Sequence, residues 1–166
     1  MSFSYFYTMA TNLKNLGDHS SRNLVPIKNK KFGFVVSEWN DQITDSLLSA
    51  AHEVLTNHGA KPKNINIKYV PGSFELPLAA QYLASQKDID AVICLGCVIQ
   101  GETRHFDFIC DAVANGITTV GLKYNKPVIF GVLTTNSIQQ ALDRAGGKHG
   151  NKGEEAAISA IKMLGF

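Results

Sequence analysis

Ala91-Val92-Ile93-Cys94-Leu95-Gly96-Cys97-Val98-Ile99 is the stretch that decides the fold class. It holds no charge and no side-chain amide. A strand with one wet face would alternate apolar and polar residues, so this one is covered on both faces, as a central parallel strand is. It leads into Gln100-Gly101-Glu102-Thr103-Arg104-His105, a glycine turn that opens a helical pattern predicted from about Thr103 to Ile117. Strand, tight turn and helix make half of a parallel crossover unit.

The same alternation extends in both directions. Upstream, Phe32 to Trp39 reads as a strand and Asp41 to His58 as an amphipathic helix. Ile43, Leu47, Leu48, Ala51, Val54 and Leu55 lie on one face of that helix, and Gly59 ends it. Ile65 to Val70 is a second strand, punctuated by Pro71-Gly72. Ser73 is placed to cap the next helix, with Pro77 tolerated near its first turn. Downstream, Pro127 to Thr134 is a strand. Ser137 to Ala145 and Lys152 to Leu164 are helices separated by the hinge Gly146-Gly147-Lys148-His149-Gly150. The order βαβαβαβα predicts an α/β protein, a three-layer αβα sandwich around a central four-stranded parallel sheet. Such sheets bind ligands at the carboxyl ends of their strands, beside a topological switch point. That rule selects Trp39-Asn40, Pro71 to Glu75, Val98 to His105 and the turn after Phe130.

Composition narrows the function classes. The chain has 166 residues, 45% of them hydrophobic and 18% charged, which fits one folded domain. A formal net charge of +2 argues against nucleic acid as a partner, and Lys28, Lys30 and Lys31 read as a solvated entry to the first strand. No apolar stretch is long enough for a membrane span. Residues 1–22 are expected to be a flexible tail without a signal-peptide pattern, with Met9 a plausible second start, and 23–166 the domain. The three cysteines, Cys94, Cys97 and Cys110, are an odd number, which favours a reducing, cytoplasmic location. Cys94 and Cys97 form a CxxC, but three residues along a strand point to opposite faces, and no second pair completes a metal site. They read as small buried hydrophobes.

The residues able to carry chemistry gather at the strand ends. Unpaired backbone N–H groups at Glu102 and Thr103, beside a helix N-terminus, suit an anion, although a capped turn has the same sequence. His105 stands just beyond, and imidazole is a side chain suited to proton transfer; an exposed helix histidine is the alternative. Trp39 is either a core anchor or a ring that stacks on a heterocycle. Glu75 either complements a helix dipole or accepts hydrogen bonds from a polyol. Arg144 and Lys148 either pair with a helix C-terminus or bind phosphate.

Taken together, these stretches resemble the lumazine synthase family, whose members share a flavodoxin-like fold. The resemblance runs from about Phe32 to Leu164. It is carried by Glu38-Trp39-Asn40, Val70-Pro71-Gly72-Ser73-Phe74-Glu75-Leu76-Pro77, Leu95 to Thr103, His105-Phe106-Asp107, Pro127 to Thr134, Ala141-Leu142-Asp143-Arg144-Ala145-Gly146 and Gly150-Asn151-Lys152-Gly153. It implies that Trp39 stacks on a pyrimidine, that Asn40 binds the same substrate, and that Ser73, Phe74 and Glu75 hold its ribityl chain. Cys97, Val98 and Ile99 would line the heterocycle pocket. Glu102 and Thr103 would bind phosphate with Arg144, while Lys148 adds positive charge. His105 would move protons, and Phe130 would cover the pyrimidine from a neighbouring subunit. Arg104, where relatives often have a smaller residue or proline, departs from the pattern.

The reaction that the resemblance implies joins 5-amino-6-(D-ribitylamino)uracil to 3,4-dihydroxy-2-butanone 4-phosphate, with no metal or cofactor. It further implies pentamers, a shell of sixty subunits and association with riboflavin synthase. A flavodoxin-like module that holds a flavin without chemistry is the competing reading; His105 and Arg144 are what it would not require.

Overall fold

A computed structural model describes residues 24–166. The expected tail, 1–22, and Asn23 lie outside the described residues.

Four strands form one parallel sheet: β1 (Phe32–Ser37), β2 (Ile65–Val70), β3 (Ala91–Ile99) and β4 (Val128–Thr135), in the order β2-β1-β3-β4. Four longer helices cover it. α1 (Asp41–Asn57) and α5 (Lys152–Met163) lie on one face, α2 (Leu76–Ala84) and α3 (His105–Tyr124) on the other. The three-layer αβα sandwich with a central four-stranded parallel sheet is therefore the observed fold.

The central strands β1 and β3 are almost wholly apolar because both their faces are covered, whereas the edge strand β2 carries Asn66 and Lys68 and is partly exposed. Phe34, Val36, Leu95 and Cys97 project toward α1 and α5, whereas Val35, Cys94 and Val132 project toward α2 and α3. Full burial of one such large side chain stabilises the fold by about 1.5–3 kcal/mol. The two thiols of the CxxC thus lie in different cores, and burial pushes Cys94 up to about 12 and Cys97 up to about 11. Neither is a nucleophile at neutral pH.

Several boundaries differ from expectation. α3 runs seven residues past Ile117, to Tyr124. Thr118 and Thr119 bond back to the carbonyls of Ala114 and Asn115, Val120 is buried, and Asn125 ends the helix in the left-handed region at φ 50°. Ser73 does not cap a helix. Ser73–Glu75 is a 3₁₀ turn that precedes α2, and Glu75 Oε2 accepts the Gly72 N–H at 3.0 Å. The fourth strand, Val128–Thr135, matches the expected Pro127 to Thr134 within one residue at each end, but no turn follows Phe130, because Gly131–Thr135 stays paired with Leu95–Ile99. After the short α4 (Ile138–Asp143), the expected hinge is an antiparallel hairpin of β5 (Ala145–Gly147) and β6 (Gly150–Asn151).

Candidate active site

The chain goes from β1 outward to β2, then crosses back over β1 to reach β3. The switch point therefore lies between the carboxyl ends of β1 and β3, and a cleft of about 290 Å³ opens there. Past β1 come Trp39 and Asn40; the β2–α2 turn contributes Gly72, Ser73 and Phe74. The end of β3 contributes Cys97, Val98 and Ile99, and α3 contributes His105 and Ile109. Eight of the residues singled out by sequence, Trp39, Asn40, Ser73, Phe74, Cys97, Val98, Ile99 and His105, converge on this one cleft.

Hydrogen bonds fix the turn after β1. The Glu38 N–H donates to the Val70 carbonyl at 2.8 Å and the Trp39 N–H to the Pro71 carbonyl at 3.2 Å. Asn40 adopts φ 63°, ψ 46°, and its Nδ2 donates to the Cys97 carbonyl at 3.0 Å. Thr44 Oγ1 donates to the Ser37 carbonyl at 2.8 Å, which holds α1 to the strand end. The Trp39 side chain stays 73% exposed and Phe74 58% exposed. Trp39 is not a core anchor; the two rings form an apolar rim at the mouth of the cleft.

Ser73 is buried, and its hydroxyl has no hydrogen-bond partner among the described residues. An unpartnered buried hydroxyl is costly, so one at the wall of a cleft marks a position for a ligand hydroxyl or N–H. Gly96 makes room for it, since a Cβ there would lie 2.6 Å from Ser73 Oγ.

His105 begins α3 and is exposed. Its N–H approaches Thr103 Oγ1 at 3.4 Å. The N–H groups of Gly101, Glu102, Thr103 and Arg104 donate to no acceptor among the described residues. Four successive donors at the amino end of a 20-residue helix suit an anion. Glu102 and Thr103 are exposed on this loop, next to the cleft wall. Glu75 is exposed, with Oε2 committed to Gly72. Arg104 is exposed on the same loop as Glu102 and Thr103; its Nε pairs with Asp107 Oδ2 at 3.3 Å and the guanidinium lies 5.8 Å from the Phe108 ring centre.

Three sequence candidates stand away from their own chain's cleft. Phe130 is half-buried in the middle of β4, opposite Cys94 and against the α2–α3 core. Arg144 follows α4; its Nη2 donates to Glu155 Oε1 at 2.8 Å and its Nη1 to the His149 carbonyl at 3.0 Å. Lys148 Nζ lies 3.1 Å from Asp143 Oδ2. The Gln139 amide and then Lys148 hold the Asp143 carboxyl below its ordinary range.

Gly72 lies within the selected stretch Pro71 to Glu75, although no role was given to it, whereas Ile109 as a wall residue and Glu155 and Lys152 as the partners around Arg144 were missed. Ile109 was legible, because it follows His105 by four residues on one helix face. Glu155 was legible as a carboxylate placed among the apolar positions of α5.

Fold and cleft together define a flavodoxin-like α/β protein with an open cleft at its switch point, between an aromatic rim and a turn of unpaired N–H donors. Comparison with known proteins makes this specific. The family model described as 6,7-dimethyl-8-ribityllumazine synthase matches residues 29–166. A 6,7-dimethyl-8-ribityllumazine synthase from Cytophaga hutchinsonii is 63% identical over 151 residues, covering 91% of this chain and 94% of the relative. Relatives of the same name from Parabacteroides distasonis and Porphyromonas gingivalis are 51% and 50% identical over 158 residues. Each alignment spans 95% of this chain, and 99% and 98% of the relative. The chain belongs to the lumazine synthase family, enzymes of riboflavin biosynthesis of the transferase class.

Proposed function

We propose that the protein condenses 5-amino-6-(D-ribitylamino)uracil with 3,4-dihydroxy-2-butanone 4-phosphate to 6,7-dimethyl-8-ribityllumazine. The observation that carries this reading is the juxtaposition of Trp39, the unpartnered Ser73 hydroxyl and His105 around one cleft. Trp39 stacks on the pyrimidine, and Cys97, Val98 and Ile99 form the opposite wall. Ser73 Oγ, with Phe74 and Glu75, receives the ribityl chain. The N–H groups of Glu102 and Thr103 take the phosphate.

The primary amine attacks the ketone and one water leaves, giving an imine. Inorganic phosphate is then eliminated, and the enol that remains rearranges to a ketone. The ribityl-bearing nitrogen attacks that ketone and a second water leaves, closing the ring. His105 shuttles the protons of these steps, and holding the two reactants in register supplies most of the acceleration.

The positions of Phe130 and Arg144, away from their own cleft, support a site completed by another copy of the chain. In this reading a neighbour's Phe130 covers the pyrimidine, and its Arg144, with Lys148 nearby, faces the phosphate. A pentamer, built further into a sixty-subunit shell, provides such neighbours; sedimentation distinguishes the two assemblies. A cytoplasmic enzyme that hands its product to riboflavin synthase completes the proposal.

The test is to mix protein with both substrates and follow lumazine fluorescence together with phosphate release. Product above the uncatalysed background, formed in step with phosphate, supports the reading. Background rates from assembled protein overturn it, and a flavin titration then examines the binding-module alternative.

A further inference from the structure

The last paired residues of β1 and β3 are Val36 and Leu95. Beyond them the strands part, and among the described residues one side-chain hydrogen bond crosses the gap: Asn40 Nδ2 to the Cys97 carbonyl, 3.0 Å. A carbonyl accepts only, so the amide must present its N–H₂ to Cys97, and its orientation is fixed. Asn40 also occupies the left-handed region, which Asn, Asp and Gly tolerate better than other residues. Trp39, the residue before it, has its N–H tied to Pro71 but a largely exposed ring. With so little packing around it, the ring is aimed chiefly by its backbone. That backbone is pinned on one side by Pro71 and on the other by Asn40.

We infer that Asn40 is a positioning residue: its amide, bound to Cys97, sets the separation between the Trp39 ring and the end of β3, and so the width of the heterocycle slot. The inference rests on the reading of this cleft as the pyrimidine site. It assigns the Asn40 N–H₂ to the protein, not to the substrate.

Asn40→Gly and Asn40→Asp test it, because both keep the left-handed turn and neither can donate to Cys97. Each is expected to raise KM for the ribityl-aminopyrimidine by about five- to tenfold, the equivalent of one lost hydrogen bond. KM for the butanone phosphate should stay within about twofold on the same argument. Trp39 is the only tryptophan, so its fluorescence reports the ring directly, and both variants should show lower polarisation and faster acrylamide quenching. If Asn40→Asp behaves as wild type, the turn matters and the hydrogen bond does not, and the inference fails. Equal rises in both KM values with unchanged fluorescence overturn it in favour of general destabilisation. If the wild type makes no lumazine, the proposed function falls instead. The fluorescence comparison then still decides the positioning role, and an unchanged Trp39 signal in Asn40→Gly rejects it.

Discussion

Arg144 Nη2 and Glu155 Oε1 meet at 2.8 Å, with the Glu155 side chain only 7% exposed and the Arg144 side chain 20%. Lys152 Nζ reaches the other oxygen, Oε2, at 3.1 Å. One carboxylate thus orients two cations where the hairpin meets α5. Removing it leaves both cations without their counter-charge, whereas removing Arg144 leaves Glu155 paired with Lys152. Glu155→Ala should therefore destabilise the fold by about 3 kcal/mol or more, and Arg144→Ala by clearly less. Under the proposed function both variants should raise KM for the butanone phosphate more than KM for the pyrimidine. Denaturant unfolding with steady-state kinetics checks this; equal stability losses would contradict the account of the pair.

His105 is exposed and makes no side-chain hydrogen bond among the described residues, so His105→Ala should leave the melting temperature unchanged. If the imidazole moves the protons, kcat should fall by about 10²–10⁴-fold with little change in either KM. A variant that turns over at the wild-type rate would remove His105 from the mechanism.

Trp39 is mostly exposed, so Trp39→Ala should change stability by no more than about 0.5 kcal/mol. Loss of stacking and apolar contact should nonetheless weaken pyrimidine binding about tenfold, and Trp39→Phe should restore most of it. Calorimetric titration with the product lumazine measures both. Equal affinity in Trp39→Ala and wild type would place the heterocycle elsewhere.

Ala91–Ile99 shows how much of this was legible in the sequence. A run buried on both faces admits few folds, and the parallel sheet with helices on both faces followed from the alternation around it. The cleft was legible for a related reason: strand ends at a switch point can be located before any distance is known. What escaped depended on geometry that local pattern does not encode. The length of α3 rests on threonines bonding back to its own carbonyls. The Gly-rich segment 145–151 has turn composition whether it is a hinge or a hairpin. The left-handed turn at Asn40 and the buried, partnerless Ser73 emerge only when three strand ends are brought together.

Acid should act on Asp143. The Gln139 amide, then Lys148, hold its carboxyl below the ordinary 3.8 in the folded protein. A depressed folded value means that its contribution to stability is fully present above about 4 and is lost as the pH falls through the lowered value. Asp143→Asn should therefore be less stable than wild type by a constant margin between about pH 6 and 8, and the margin should close below about pH 4. Thermal melts of both proteins across that range provide the test; a gap that persists unchanged in acid would mean that the carboxylate charge is not its source.

Gly153 lies where α5 crosses α1, and a Cβ there would overlap the backbone carbonyl of Leu47. Backbone cannot swing aside as a flexible side chain can, and the site is fixed further by neighbouring bonds. The Gly153 N–H donates to Asn151 Oδ1 at 2.8 Å, and Asn151 Nδ2 reaches the Ser46 carbonyl at 3.3 Å. An alanine would gain about 1 kcal/mol of helix propensity, but the overlap forces the two helices apart, so Gly153→Ala should lose about 3 kcal/mol or more net. In a chain of this size that is a fall of about 6–12 °C in Tm. Gly101→Ala is the control, because a Cβ at Gly101 meets nothing within 4 Å, and it should melt with the wild type. If Gly153→Ala also melted with the wild type, the close crossing of α1 and α5 would not constrain the fold as described.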